Sequence, residues 1–90
     1  MGIFDIYKNK KDNSLILINS FATHVNSDKN MIIIYSNIEK HSEYEIGSCP
    51  SFNGYGTKQE IESKYELFIK KEDLNKYNDW NDVFNLLEEN

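Results

Sequence analysis

Apolar residues in this chain gather in short runs separated by polar breaks, the rhythm of strands and turns for most of its length. The central stretch is residues 21–35. Ala22-Thr23-His24 ends one apolar run, Asn26-Ser27-Asp28-Lys29-Asn30 breaks it, and Met31-Ile32-Ile33-Ile34-Tyr35 begins the next. Asn, Ser and Asp side chains hydrogen-bond nearby backbone, and Asn and Asp tolerate left-handed φ, so this spacing predicts a hairpin. Ile32-Ile33-Ile34 lacks alternation, which suits a central strand covered on both sides or a strongly curved barrel strand.

Upstream, Ile3, Phe4, Ile6 and Tyr7 predict a first strand and residues 8–13 a lysine-rich turn. Residues 14–22 are β-branched and apolar, a second strand that bends at Asn19-Ser20 and completes a three-stranded meander. Downstream, Glu43-Tyr44-Glu45-Ile46 alternates charged and apolar positions, predicting a short exposed strand. Residues 47–56 carry Pro50, Gly54 and Gly56 and predict a loop. Thr57-Lys58-Gln59-Glu60 has capping-box spacing, the start of a brief helix. Tyr65, Leu67 and Ile69 alternate with Glu66, Phe68 and Lys70 and favour a strand over 64–70, although Ile61, Tyr65 and Phe68 would also mark a helical face. Trp80, Val83, Phe84 and Leu87 then fall at i, i+3, i+4 and i+7, the stripe of an amphipathic helix over about 79–88. Asn78 or Asp79 can cap it, and its apolar face should close a barrel. The pattern as a whole predicts a single α+β domain, mainly β: a small curved antiparallel sheet or barrel with a C-terminal amphipathic helix.

Composition narrows the function more than the fold. A chain of 90 residues makes one domain that buries only roughly 60 to 65% of its unfolded surface. One cysteine, Cys49, allows no internal disulfide and is too few for a cysteine-based zinc site, which suits a reducing cytoplasm. The longest wholly apolar run, Met31 to Tyr35, falls far short of the ~20 residues that span a bilayer, so no membrane partner is expected. Of the net charge of −5, residues 1–38 hold four Lys against three Asp, and residues 39–90 six Lys against twelve Asp and Glu. The absence of arginine removes the side chain best suited to bidentate phosphate and guanine contacts, which disfavours direct nucleic-acid binding.

Ala22-x-His24 followed by Met31-Ile32-Ile33-Ile34-Tyr35 resembles a small bacterial and phage family of unknown function. Its pattern is an aromatic, a histidine and Lys-Gly, then an Ala-x-His turn, a Val-Val-Tyr strand and a closing Trp-Val-Arg-Pro strand. Phe4, Tyr7 and Lys8 stand at the opening positions, with Ile6 in place of the histidine and Asn9 in place of the glycine. Leu67-Phe68-Ile69-Lys70-Lys71 stands where the closing strand would be, without its tryptophan, arginine and proline, and residues 39–64 and the last helix fall outside the pattern. The resemblance implies an SH3-like barrel and carries no catalytic residues or cofactor.

Candidate chemistry is sparse. His24, His41 and Cys49 could ligate a metal, but their spacing matches no common zinc arrangement. Cys49 with His41 as base lacks an orienting third group and an oxyanion loop, so the reading is non-enzymatic. Residues 51–58, with two glycines before a helix start, could cradle an anion, yet lack the nucleotide-loop spacing. Phe52 and Tyr55, read as part of a glycine-hinged loop, either bury area against a partner or fold back on the core. Glu39, Glu43, Glu45, Glu60, Glu62 and Glu66, with Glu72 and Asp73, are either ordinary solvated surface or a face that imitates a phosphate backbone. Two functions follow. One is a small acidic inhibitor or adaptor of phage or mobile-element type that binds a basic, nucleic-acid-handling protein. The other is a housekeeping SH3-like barrel that binds a peptide or small ligand.

Overall fold

Leu15, Ile16, Leu17 and Ile18 are all buried, which consecutive strand residues achieve only when both faces of the strand are covered. They begin the central strand β2 (Leu15–Ala22) of a five-stranded antiparallel sheet. Its other strands are β1 (Ile6–Asn9), β3 (Ile32–Ile38), β4 (Gly54–Thr57) and β5 (Tyr65–Ile69), and the order across the sheet is β4-β3-β2-β1-β5. The computed structural model describes residues 1–22, 31–39, 45–46 and 54–88. Three helices complete these residues: α1 (Lys58–Lys64), α2 (Lys71–Leu74) and α3 (Trp80–Glu88). The architecture is α+β and mainly strands, with a C-terminal amphipathic helix, as the apolar pattern predicts.

The two faces of β2 feed two cores. Leu15 and Leu17 join Ile6, Ile38 and Ile69 under Leu74, Trp80 and Val83 of the C-terminal helices. Ile16 and Ile18 join Tyr7 and Ile33 under Ile61 of α1. The second face is concave. Tyr35 of β3 and Tyr65 of β5 are separated by two intervening strands, a flat-sheet distance of roughly 14 Å at 4.8 Å per strand. Their ring centroids nevertheless lie 6.4 Å apart. The sheet therefore curls toward a half-barrel whose gap between β4 and β5 is bridged by α1. Helix α3 covers the opposite face instead of closing a barrel.

Local chemistry explains the junctions. The β1–β2 turn is held by Asn9, whose Oδ1 accepts from the Lys11 and Asp12 N–H groups, and by Asp12, whose Oδ1 accepts from the Ser14 N–H at 2.9 Å. Asn13 takes the left-handed φ of 62° there, a conformation asparagine tolerates. The bend expected at Asn19-Ser20 is a register shift between Ile18 and Ser20, the mark of a β-bulge. Asn19 lies within it and donates to the buried Ser36 Oγ at 3.2 Å. The hairpin strands pair from Leu15↔Ile38 to Ala22↔Ile32, while their turn at 23–30 lies outside the described residues. Thr57 and Glu60 form the reciprocal capping box of α1. In α3 the Asp82 N–H donates to Asp79 Oδ1 and the Asn78 N–H to Asp82 Oδ2, so Asp79 is the capping side chain.

Three expectations are corrected. The loop predicted over 47–56 gives way at its end to β4, because Gly54 and Gly56 pair with Tyr35 and Ile33 instead of turning the chain. Of the strand predicted over 43–46, Glu45 and Ile46 are not extended ladder residues, and Glu43 and Tyr44 lie outside the described residues. The helical alternative across Ile61, Tyr65 and Phe68 fails because α1 ends at Lys64 and Tyr65 begins β5 against Asn9. Helix α2 had no sequence signal; Asp5 Oδ1 accepts from the Lys71 N–H at 2.9 Å and Leu74 is buried.

Candidate binding surface

Strand β4 places one aromatic side chain outward in a defined position. Tyr55 lies opposite Ile34 and is 76% exposed. Its neighbour Gly54 is opposite Tyr35, and a Cβ at Gly54 would lie 2.4 Å from Tyr35 Cε1. The absence of a side chain at Gly54 thus lets the Tyr35 ring lie across β4, and that ring packs in the concave core. On the other side of Tyr55, a Cβ at Gly56 would meet Glu60 Oε2 at 3.2 Å and Ile61 Cδ1 at 3.4 Å, so α1 returns tightly against β4. Tyr55 is held at both flanks. Directly paired residues share a sheet face, so Ser20, Ile34 and Tyr55 form one row, and Ala22, Ile32 and Thr57 the next. Ile32 and Ile34 are half-buried and Ala22 is exposed. This short apolar strip is invisible in the linear sequence, because pairing of β2, β3 and β4 assembles it.

The acidic candidates divide among several places. Glu60 and Glu62 sit on α1, which packs on the concave face, the opposite side of the sheet from this strip; Glu60 holds the cap, and Glu62 lies 3.9 Å from Lys58. Lys10 Nζ donates to the backbone carbonyls of Glu62 and Ser63 at 3.4 and 3.5 Å. Glu66 lies on β5 and pairs with Lys8 at 3.2 Å, with the same ammonium 5.7 Å from the Phe68 ring centroid. Glu39 is exposed just beyond the end of β3, and Glu45 is exposed in the 45–46 segment. Glu43 and Phe52 lie outside the described residues, as do His24, His41 and Cys49. Lysines are therefore interleaved with carboxylates along α1 and β5.

Tyrosines titrate unusually near the concave core. Burial first, then the charges of Asp5 and Glu62, pushes the Tyr7 phenol above its ordinary range. Burial, then Tyr65, does the same to Tyr35. Both rings pack in the concave core. Among the described residues no group of three or more His, Cys, Asp and Glu could hold a metal ion, and no helix is long and apolar enough to cross a membrane. Compared with protein-family models, curated proteins and solved structures, the chain matches none.

Proposed function

We propose that this chain is a non-enzymatic protein-binding module whose contact surface centres on Tyr55 of β4. The observation that carries the reading is a large side chain, 76% exposed, on a strand fixed by the Gly54–Tyr35 packing. An exposed tyrosine on a fixed strand contributes apolar area and a hydroxyl, the properties that enrich this residue at the centres of interfaces. Ile32, Ile34 and Ala22 extend the apolar contact. A partner with an apolar cleft for the tyrosine suits that contact, and the net charge of −5 favours a basic one.

The finer reading is an acidic inhibitor or adaptor of phage or mobile-element type that occupies the nucleic-acid site of its partner. It rests on the charge of −5 and the absence of arginine. Lys58 and Lys8 beside Glu62 and Glu66 weaken the local field, so in this reading charge steers association and Tyr55 supplies the contact. Partner capture with wild type and Tyr55→Ser, after matching their circular dichroism and unfolding midpoints, tests the module. Captured protein should be lost with Tyr55→Ser and retained with Glu39→Gln. Equal capture by both variants removes Tyr55 from the interface. For the finer reading, association should slow as salt shortens the Debye length from ~10 Å at 0.1 M toward ~3 Å at 1 M. Association kinetics indifferent to salt would leave the carboxylates as solvated surface.

A further inference from the structure

A second concave feature lies on the opposite side of the sheet from α1. Phe4, Ile46, Leu74, Lys71 and Asn75 line a pocket of about 240 Å³ among the described residues. Phe4, Ile46 and Leu74 also belong to the core beneath the C-terminal helices, so the pocket floor is continuous with packed apolar side chains. Phe4 is set there by a positive φ of 71° and by its N–H donating to the Ile18 carbonyl at 2.7 Å.

Two exposed polar groups, Lys71 and Asn75, stand at the rim of this apolar pocket. Lys71 Nζ lies 5.8 Å from the Phe4 ring centroid, and no carboxylate pairs with it among the described residues. Asp5 has both oxygens engaged: Oδ2 accepts from the Gly2 N–H at 2.8 Å and Oδ1 from the Lys71 N–H at 2.9 Å. On the same helix, Asp73 is taken by Lys76 at 3.0 Å. The Asn75 side-chain amide likewise has no hydrogen-bond partner among the described residues. Lys71 thus sets a positive charge over an aromatic ring beside an apolar pocket.

We infer that this pocket binds a small apolar monocarboxylate. The hydrocarbon part lies against Phe4, Ile46 and Leu74, and the carboxylate accepts hydrogen bonds from the Lys71 ammonium and the Asn75 amide. Size sets the class: an apolar cavity of about 150 Å³ takes benzene, so 240 Å³ admits one ring or a short alkyl chain with its acid group. Charge sets the head group, because a charge-assisted bond to an ammonium is stronger than one to a neutral acceptor. The carboxylate belongs either to a free acid or to the C-terminal residue of a peptide, which presents the same chemistry.

Titration with hydrocinnamate and with its uncharged amide tests the assignment, read by isothermal calorimetry and by the methyl resonances of Ile46 and Leu74. The acid should bind with a Kd on the order of 1 mM and the amide about tenfold more weakly. Lys71→Met, which keeps the apolar stem, should bring the acid down to the amide's affinity, and Lys71→Arg should keep most of it. Tyr55→Ser should leave binding unchanged, separating this site from the proposed protein surface. A tetrapeptide ending in Phe, compared with its C-terminally amidated form, distinguishes the two sources of carboxylate. Equal binding of acid and amide overturns the inference, as do methyl resonances of Ile46 and Leu74 that do not move, or a Lys71→Met variant that binds like wild type.

Discussion

Gly54 owes its place to the ring of Tyr35, not to a turn. A methyl at this position falls 2.4 to 2.7 Å from three atoms of the phenol, so ring or strand must shift. Gly54→Ala should destabilise by about 1 to 3 kcal/mol, the usual range for overpacking, and the penalty should shrink sharply in a Tyr35→Ala background. Chemical denaturation of the four members of that cycle measures the coupling; additive penalties would mean that the ring is not what excludes the methyl. Tyrosine chemistry also sets a limit at high pH. Tyr7 and Tyr35 have folded pKa values raised above the ordinary 10.0, so between the two values the folded state holds more protons than the unfolded one. The linked stability is complete below about pH 10 and is lost as pH rises through the raised values. Denaturation midpoints should therefore fall above about pH 10, and less steeply in Tyr7→Phe. A flat profile in that range would show that neither phenol is linked to folding.

Among the elements, α3 makes the clearest contribution to stability. Its stripe buries Trp80 and Val83 completely and half-buries Phe84 and Leu87. Trp80→Ala should cost about 3 to 5 kcal/mol, a large share of the 5 to 15 kcal/mol typical of a domain. Trp80→Phe should cost much less, because the indole N–H has no partner among the described residues and its removal leaves no donor to satisfy. Asp79→Ala removes the side chain that accepts from the Asp82 N–H and should cost about 1 kcal/mol. Urea unfolding followed by tryptophan fluorescence, or by circular dichroism for the Trp80 variants, ranks the three. Near-equal midpoints for Trp80→Ala and wild type would detach α3 from the core. The ion pairs carry much less: Lys58–Glu62 and Lys8–Glu66 are partly exposed, and such pairs contribute about 0 to 1 kcal/mol.

At the scale of the whole molecule, two thin cores share one curved sheet. Each is small, so neither side is dispensable: removing residues 78–90 would strip Trp80 and Val83 from Ile6, Leu15, Leu17 and Ile69 and leave an apolar sheet face in water. That truncation should abolish cooperative unfolding and raise binding of an apolar dye. A truncated chain with a sharp transition and low dye binding would show that the α1 side folds alone. The two candidate sites lie on the same side of the sheet but on different elements, the Tyr55 strip on β3 and β4 and the Lys71 pocket on the N-terminal segment and α2.

Local rules were enough wherever a few neighbouring residues decide the conformation. The meander of β1, β2 and β3, the bend at Asn19, the Thr57–Glu60 box and the Trp80 stripe all follow from periods and side-chain reach that act within a few positions. Helix α2 escaped, because its anchors, the Asp5 carboxylate and the core under Leu74, come from distant parts of the chain. For the same reason Gly54 and Gly56 read as a loop until Tyr35 and Ile33 paired with them. Eight carboxylates and two aromatics stand out in the sequence as candidate contacts, but sequence carries no record of which side chains share a face. Pairing set Tyr55 beside Ile34, α1 set Glu62 beside Lys58, and β1 set Lys8 against Glu66. Composition by itself determined the acidity, the single cysteine and the want of arginine; only strand order and curvature decided where the exposed tyrosine and the unpaired lysine stand, because those positions depend on contacts between residues far apart in the chain.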